Sequence, residues 1–178
     1  MSQSRSVIIV FFLVIFTLSF FSRSNAQQSS KSESRGQNFK TAPDFSLETT
    51  TGDTFTLSEH KGQVVVLNIW ATWCGPCRKE IPDFIDLQQE LRNEDVLFAG
   101  VSVDKKGWST VRPYAQKMEI NYPIMVDNGT VSRKYGPIRA IPTSFIINKK
   151  GKVEYVAPGM LNKKRLKPIL LKLARRSN

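Results

Sequence analysis

Val64-Val65-Val66-Leu67-Asn68-Ile69-Trp70-Ala71-Thr72-Trp73-Cys74-Gly75-Pro76-Cys77-Arg78-Lys79-Glu80 is the stretch on which the reading of this chain turns. Val64 to Trp70 is an apolar run broken only by Asn68, the pattern of a strand covered on both faces of a partly parallel sheet. From Cys77 onward Ile81, Phe84, Ile85 and Leu91 recur at helical spacing, and Pro82 inside that pattern predicts a kink near the second turn. A strand thus feeds a helix through a turn that carries both cysteines of the chain.

A structural disulfide gains its worth by closing a loop, and two intervening residues leave little chain entropy to remove. The spacing suits chemistry better. If the helix begins at the cysteines, Cys74 sits at its N-terminus, where unpaired backbone N–H groups and the macrodipole favour a negative charge, and the thiolate is the nucleophilic form. Cys77 then lies one turn deeper on the same face, placed to attack a mixed disulfide on Cys74 and release the reduced partner. Pro76 fits a first turn because its missing N–H would be unpaired there anyway, and Gly75 keeps the approach to Cys74 free of bulk. Structural zinc wants four ligands, and the single histidine, His60, lies in the polar stretch Ser58-Glu59-His60-Lys61-Gly62, which reads as a solvated turn without a role. No metal and no cofactor is expected.

Outward from this unit, strands alternate with helices. Phe45–Leu47 and Thr54–Thr56 flank Thr51-Gly52-Asp53 as a hairpin that opens the folded domain. Val96 to Val103 reads as a second buried strand, Trp108, Val111, Ala115 and Met118 as a second helix, and Ile124 to Val126 as a short strand closed by Asp127-Asn128-Gly129. Thr130 to Tyr135 reads as a brief helix, Ser144–Asn148 and Lys152–Val156 as an antiparallel pair, and the remainder as a terminal helix in which Pro168 is awkward. The expected fold class is α/β: a central mixed sheet flanked by helices, with an N-terminal β-hairpin extension and a central αβ insertion.

The chain has 178 residues, 40% hydrophobic and 23% charged, as one ordinary globular domain with tails would. Residues 1–26 read differently. Arg5 precedes the almost wholly apolar Val7–Phe21, and Ser24-Asn25-Ala26 follows, the layout of a secretory signal peptide or an N-terminal membrane anchor. The run is shorter than the roughly 20 residues that cross a bilayer comfortably, which favours cleavage after Ala26. Under either reading the remainder is delivered outside the cytoplasm. Residues 27–40, rich in Ser with a single aromatic, read as a disordered linker, and 41–178 as the domain.

The net charge is +11, and much of the excess is local. Lys163, Lys164, Arg165, Lys167, Lys172, Arg175 and Arg176 crowd the end of the chain around Ile169, Leu170 and Leu173. This pattern predicts a helix packing its apolar side on the domain with its basic side in water, available to an anionic membrane surface or an acidic partner. Nucleic acid is not an expected partner of an exported protein.

Trp70-Ala71-Thr72-Trp73-Cys74-Gly75-Pro76-Cys77-Arg78-Lys79-Glu80 resembles the active-site segment of the membrane-associated and periplasmic thioredoxin-like reductases of the TlpA and ResA type, within the AhpC/TSA redoxin superfamily. Ala42-Pro43-Asp44-Phe45 resembles an opening motif shared with peroxiredoxins, and Ile141-Pro142-Thr143 resembles the cis-proline loop of thioredoxin folds. The resemblance covers roughly residues 41–160. It implies a thioredoxin-like fold, a redox-active Cys74–Cys77 disulfide, and a cis Pro142 that packs on the cysteines and presents the backbone of Ile141 to an extended partner. It also implies that Trp73 is the flat residue beside the nucleophile and that Glu80 tunes the thiols, while Trp70 is core. Cytoplasmic thioredoxin has a buried acid where this chain has Asn68, which cannot titrate, so proton handling falls to Glu80 or to water.

The implied function is an extracytoplasmic thiol:disulfide oxidoreductase that reduces disulfide-bearing client proteins, apocytochrome c among them, with electrons from a membrane-linked donor. Two other readings compete. A peroxiredoxin-like thiol peroxidase needs a Pro-x-x-x-Thr-x-x-Cys cradle, and counting back from Cys74 gives Ala71 and Leu67, from Cys77 gives Cys74 and Trp70, so the cradle is absent. A copper-binding chaperone of thioredoxin fold would use both thiolates as soft ligands, but the carriers of this fold space their cysteines more widely and add a histidine.

Overall fold

In the computed structural model, which describes residues 41–176, Val64–Trp70 forms the central strand β3 with every residue buried. The expected leader and linker lie outside the described residues. Ahead of β3 come β1 (Ser46–Glu48), β2 (Thr54–Thr56) and a short 3-10 turn over Leu57–His60. After it follow α1 (Gly75–Glu90), β4 (Val96–Ser102), α2 (Trp108–Lys117), β5 (Ile124–Val126), α3 (Thr130–Lys134), β6 (Thr143–Ile147), β7 (Val153–Pro158) and α4 (Lys163–Ala174). The five-stranded sheet has the order β5-β4-β3-β6-β7. Its β3–β4 and β4–β5 pairs are parallel, and its β3–β6 and β6–β7 pairs are antiparallel.

Alternation along β3 divides the core in two. Val64, Val66 and Trp70 point to one face and pack with Ile81, Phe84 and Leu87 of α1 and with Leu166, Leu170 and Leu173 of α4. Val65, Leu67 and Ile69 point to the other, against the hairpin residues Phe45, Leu47 and Phe55 and against Val131 and Tyr135. Each such buried aliphatic or aromatic side chain contributes roughly 1.5–3 kcal/mol relative to exposure. Asn68 shares the α1 face, which places its amide under the helix that carries the cysteines.

Several boundaries differ from the sequence pattern for local reasons. The hairpin turns through Gly52, whose φ of 91° is open to glycine at little cost, and it docks on the sheet by Thr50 N–H donating to Ile124 O at 3.0 Å. Helix α1 runs without a break through Pro82, and α2 and α4 likewise continue through Pro113 and Pro168. All three prolines are exposed, so the carbonyl each leaves without a helical donor can turn to water. The 3-10 turn was not legible in the sequence. It changes the reading of His60, which is half-buried: its ring stacks on Phe55 with centroids 4.5 Å apart, and Nδ1 lies 3.1 Å from Gln63 Oε1. Helix α4 buries Leu166, Leu170, Leu173 and Ala174, and Asn162 caps it by accepting from Arg165 N at 3.0 Å. Its basic side is not wholly given to water, because Lys163 and Lys167 pair with Glu90 of α1.

Gly100 in β4 marks the tightest packing beneath the site. A Cβ there would meet Ile124 Cδ1 at 2.6 Å and Trp70 Nε1 at 3.0 Å, and both side chains are already closed in. Gly100→Ala is therefore expected to destabilise the oxidised protein by about 1–3 kcal/mol through overpacking. Urea unfolding checks this; an unchanged midpoint would show that the core yields freely at this point.

Candidate active site

The C-terminal end of β3 and the first turn of α1 make the centre of the site. Cys74 is the N-cap residue, with extended backbone (φ −80°, ψ 110°), and its Sγ accepts the Cys77 N–H at 3.2 Å. One of the donors that a helix start leaves unpaired thus points at the sulfur, the arrangement that favours a thiolate once the pair is reduced. Cys74 and Cys77 are joined as a disulfide, S–S 2.06 Å. The two sulfurs are not equivalent to a partner: Cys74 keeps 5% exposure and Cys77 none.

Three features stand around Cys74, two of which, Ile141 and Asp104, come from distant parts of the chain. The Ile141–Pro142 peptide is cis, and the Ile141 carbonyl oxygen lies 3.7 Å from Cys74 Sγ. Trp73, the residue before Cys74, is 66% exposed, so its ring is an open aromatic face and no part of the core. Thr72 is clamped by Asp104, which accepts from Thr72 N–H at 2.8 Å and from Thr72 Oγ1 at 2.7 Å. The hydroxyl of Ser102 donates to the same carboxylate at 2.7 Å. The clamp fixes the segment that enters the cysteine turn.

Glu80 lies below the disulfide on α1 and is buried, at 1% exposure. Its Oε1 accepts from Asn68 Nδ2 at 2.9 Å and its Oε2 from Leu161 N at 2.9 Å, while Asn68 Nδ2 also reaches Ser144 Oγ at 3.0 Å. Burial pushes the Glu80 carboxyl up to about 7, against the two hydrogen bonds, which favour its charged form. Tyr122, buried nearby, has its hydroxyl held above the usual range by burial and by the neighbouring Glu80. The Glu80–Leu161 bond also ties α1 to the loop between β7 and α4, whose Gly159 N–H donates to the Pro142 carbonyl at 2.7 Å.

The structure therefore gathers Cys74, Cys77, Glu80, Pro142 and Trp73 into one region and leaves His60 outside it. Among the described residues no group of three or more His, Cys, Asp or Glu side chains could hold a metal ion. Sequence reasoning missed Asp104 and the Leu161 amide. Asp104 could have been found from strand pairing, since the parallel register sets Trp70 beside Ser102 and so carries Thr72 to the level of Asp104. The Leu161 amide has no side-chain signature.

Residues 39–156 match the family model described as AhpC/TSA family. The chain is 35% identical over 141 residues to the thioredoxin-like protein YneN of Bacillus subtilis, covering 79% of this chain and 82% of that one. It is 34% identical over 128 residues to the thiol-disulfide oxidoreductase ResA of Geobacillus thermodenitrificans, covering 71% and 72%. Among solved structures, a thioredoxin-family thiol:disulfide interchange protein of Chlorobium tepidum superposes with a TM-score of 0.71 at 32% identity, covering 78% of this chain and 98% of that one.

The position of Glu80 makes stability depend on pH in a defined way. Below about 4.5, its ordinary value, the carboxyl is neutral whether the chain is folded or unfolded. Between there and about 7 the unfolded chain releases the proton while the folded one holds it, so this contribution to stability is lost as pH rises. In Glu80→Gln the contribution is absent. The stability difference between the two oxidised proteins is expected to shift across this window by up to about 3 kcal/mol and to level off above it. Urea titrations at a series of pH values read this, and a difference that stays flat would mean that the carboxyl ionises normally.

Proposed function

The chain belongs to the AhpC/TSA family and is a thiol-disulfide oxidoreductase of thioredoxin fold, and from this premise we propose that it reduces disulfides of other proteins outside the cytoplasm. The observation that carries the reading is the inequality of the two cysteines: one sulfur at a helix N-cap and open at its edge, the other sealed one turn below.

In the reduced enzyme the Cys74 thiolate attacks one sulfur of a client disulfide. A Cys74–client disulfide forms, and the other client sulfur leaves as a thiolate and takes a proton. The Cys77 thiolate then attacks Cys74 Sγ, restoring the Cys74–Cys77 disulfide and expelling the second client thiol. Two electrons pass to the client, and the enzyme is returned to the dithiol by a donor on the membrane side. Glu80, with its carboxyl poised near neutrality, exchanges a proton with the buried Cys77 sulfur. The Ile141 carbonyl and the face of Trp73 seat the client strand beside the disulfide.

Residues 1–26 serve as the export signal or anchor and 27–40 as a tether to the domain at 41–178. Their sequence supports this reading: a positive residue, an apolar run and a small-residue site before Gln27. Clients include cysteine-pair segments such as the haem-binding stretch of an apocytochrome c.

Cys77→Ala is expected to arrest on its client as a mixed disulfide through Cys74, visible as an adduct on a non-reducing gel and identifiable by mass spectrometry. Adding Cys74→Ser to that variant should abolish the adduct. If adducts persist without Cys74, the assignment of the nucleophile falls. Expression of the full chain in a bacterial host, followed by N-terminal sequencing, tests export. A mature start at Gln27 marks cleavage, an intact start in the membrane fraction marks an anchor, and an intact start in the cytosol overturns both.

A further inference from the structure

A groove of about 810 Å³ runs between the first turns of α1 and the side of α2, beginning at Thr72 and Gly75, the residues on either side of the Trp73-Cys74 pair. Tyr114 lines it together with three cations: Arg78 and Lys79 from α1, and Lys117 from α2. No carboxylate lines it. Of the acids beside it, Glu80 is buried and turned to Asn68 and Leu161, Asp104 is spent on Thr72 and Ser102, and the exposed Glu119 follows Met118 at the α2 end without lining the groove, while the exposed Lys105 and Lys106 follow Asp104.

These cations differ from many others in the molecule. Lys163 and Lys167 are neutralised by Glu90, Lys149 by Asp95, Arg176 by Glu154 and Arg112 by Glu48. Arg78, Lys79 and Lys117 are exposed and form no ion pair among the described residues. Like charges facing each other across a groove repel, and an anionic occupant relieves that repulsion. The charges come from two helices along a groove of this size, which an extended acidic chain can follow past all three. A Cβ on Gly75 would meet nothing within 4 Å, which leaves the mouth beside Cys74 open.

We propose that this groove receives an acidic, extended segment of the protein whose disulfide reacts at Cys74, so that negative charge flanking the reacting cysteine is a specificity determinant. The proposal rests on the reading of Cys74–Cys77 as a pair that exchanges with protein disulfides, and it adds the chemical class of partner.

The test is single-turnover oxidation of the reduced protein by three synthetic peptides. Each closes the same small disulfide loop, with flanks of glutamate, of serine and glycine, or of lysine. The expected order of second-order rate constants is acidic, then neutral, then basic, with about a tenfold advantage of acidic over neutral at low salt that shrinks as salt is added. The double variant Lys79→Glu/Lys117→Glu should reverse the order while reducing the uncharged hydroxyethyl disulfide as fast as the parent does. Equal rates on the three peptides, or a preference for acidic flanks that survives the charge reversal, overturn this proposal alone. Failure to reduce any disulfide, hydroxyethyl disulfide included, overturns the oxidoreductase reading and this one with it.

Discussion

The molecule is organised around the unpaired amides at the start of one helix. A helix cannot satisfy its own first N–H groups, and here Cys74 Sγ takes up the Cys77 N–H from the N-cap position. The rest of the fold keeps that helix start where a partner can reach it. Strand β3, buried along its whole length, fixes the point at which the chain leaves the sheet, and the Asp104 clamp on Thr72 fixes the path from strand to helix. The segment of the cis Ile141–Pro142 peptide, next to β6, places the Ile141 carbonyl oxygen near the same sulfur.

Glu80 shows how a fold holds an expensive group. An ionised carboxylate out of water costs several kcal/mol unless donors meet it, and both of its oxygens are met, one by a side-chain amide and one by a backbone amide. Asn68 is the partner that makes this possible. It offers donors without a charge of its own, so it supports the carboxyl without competing for the proton. Since Leu161 supplies the second donor, the acid beneath the disulfide also anchors the loop that hydrogen-bonds Pro142.

How much of this was legible in the sequence depended on the range of the forces involved. The unbroken run of Val64 to Trp70 and the helical spacing of Ile81 and Phe84 are local patterns, and the elements formed where those patterns placed them, with ends shifted by a residue or two. The cysteine spacing drew attention to Cys74 and Cys77 for the same reason. The 3-10 turn at Leu57–His60 leaves no sequence signal because its apolar content is a single Leu57, and the polar neighbours of His60 point to a solvated turn although its ring stacks on Phe55. Asp104, the Leu161 amide and the groove charges depend on contacts between segments far apart in the chain, such as Leu161 with Glu80. No window of sequence contains them.

The way the sheet ends has a bearing beyond the chemistry. Strand margins with free N–H and C=O groups are templates for pairing with another chain. Here β5 is only Ile124–Val126, and the N-terminal hairpin lies over its end through Thr49 and Thr50. At the opposite margin β7 carries an irregular register against β6 and closes on Pro158. Neither border offers a long, flat ladder, so the chain resists stacking edge to edge with its own copies, a useful property for a thiol-disulfide oxidoreductase, whose substrates are other disulfide-bearing proteins.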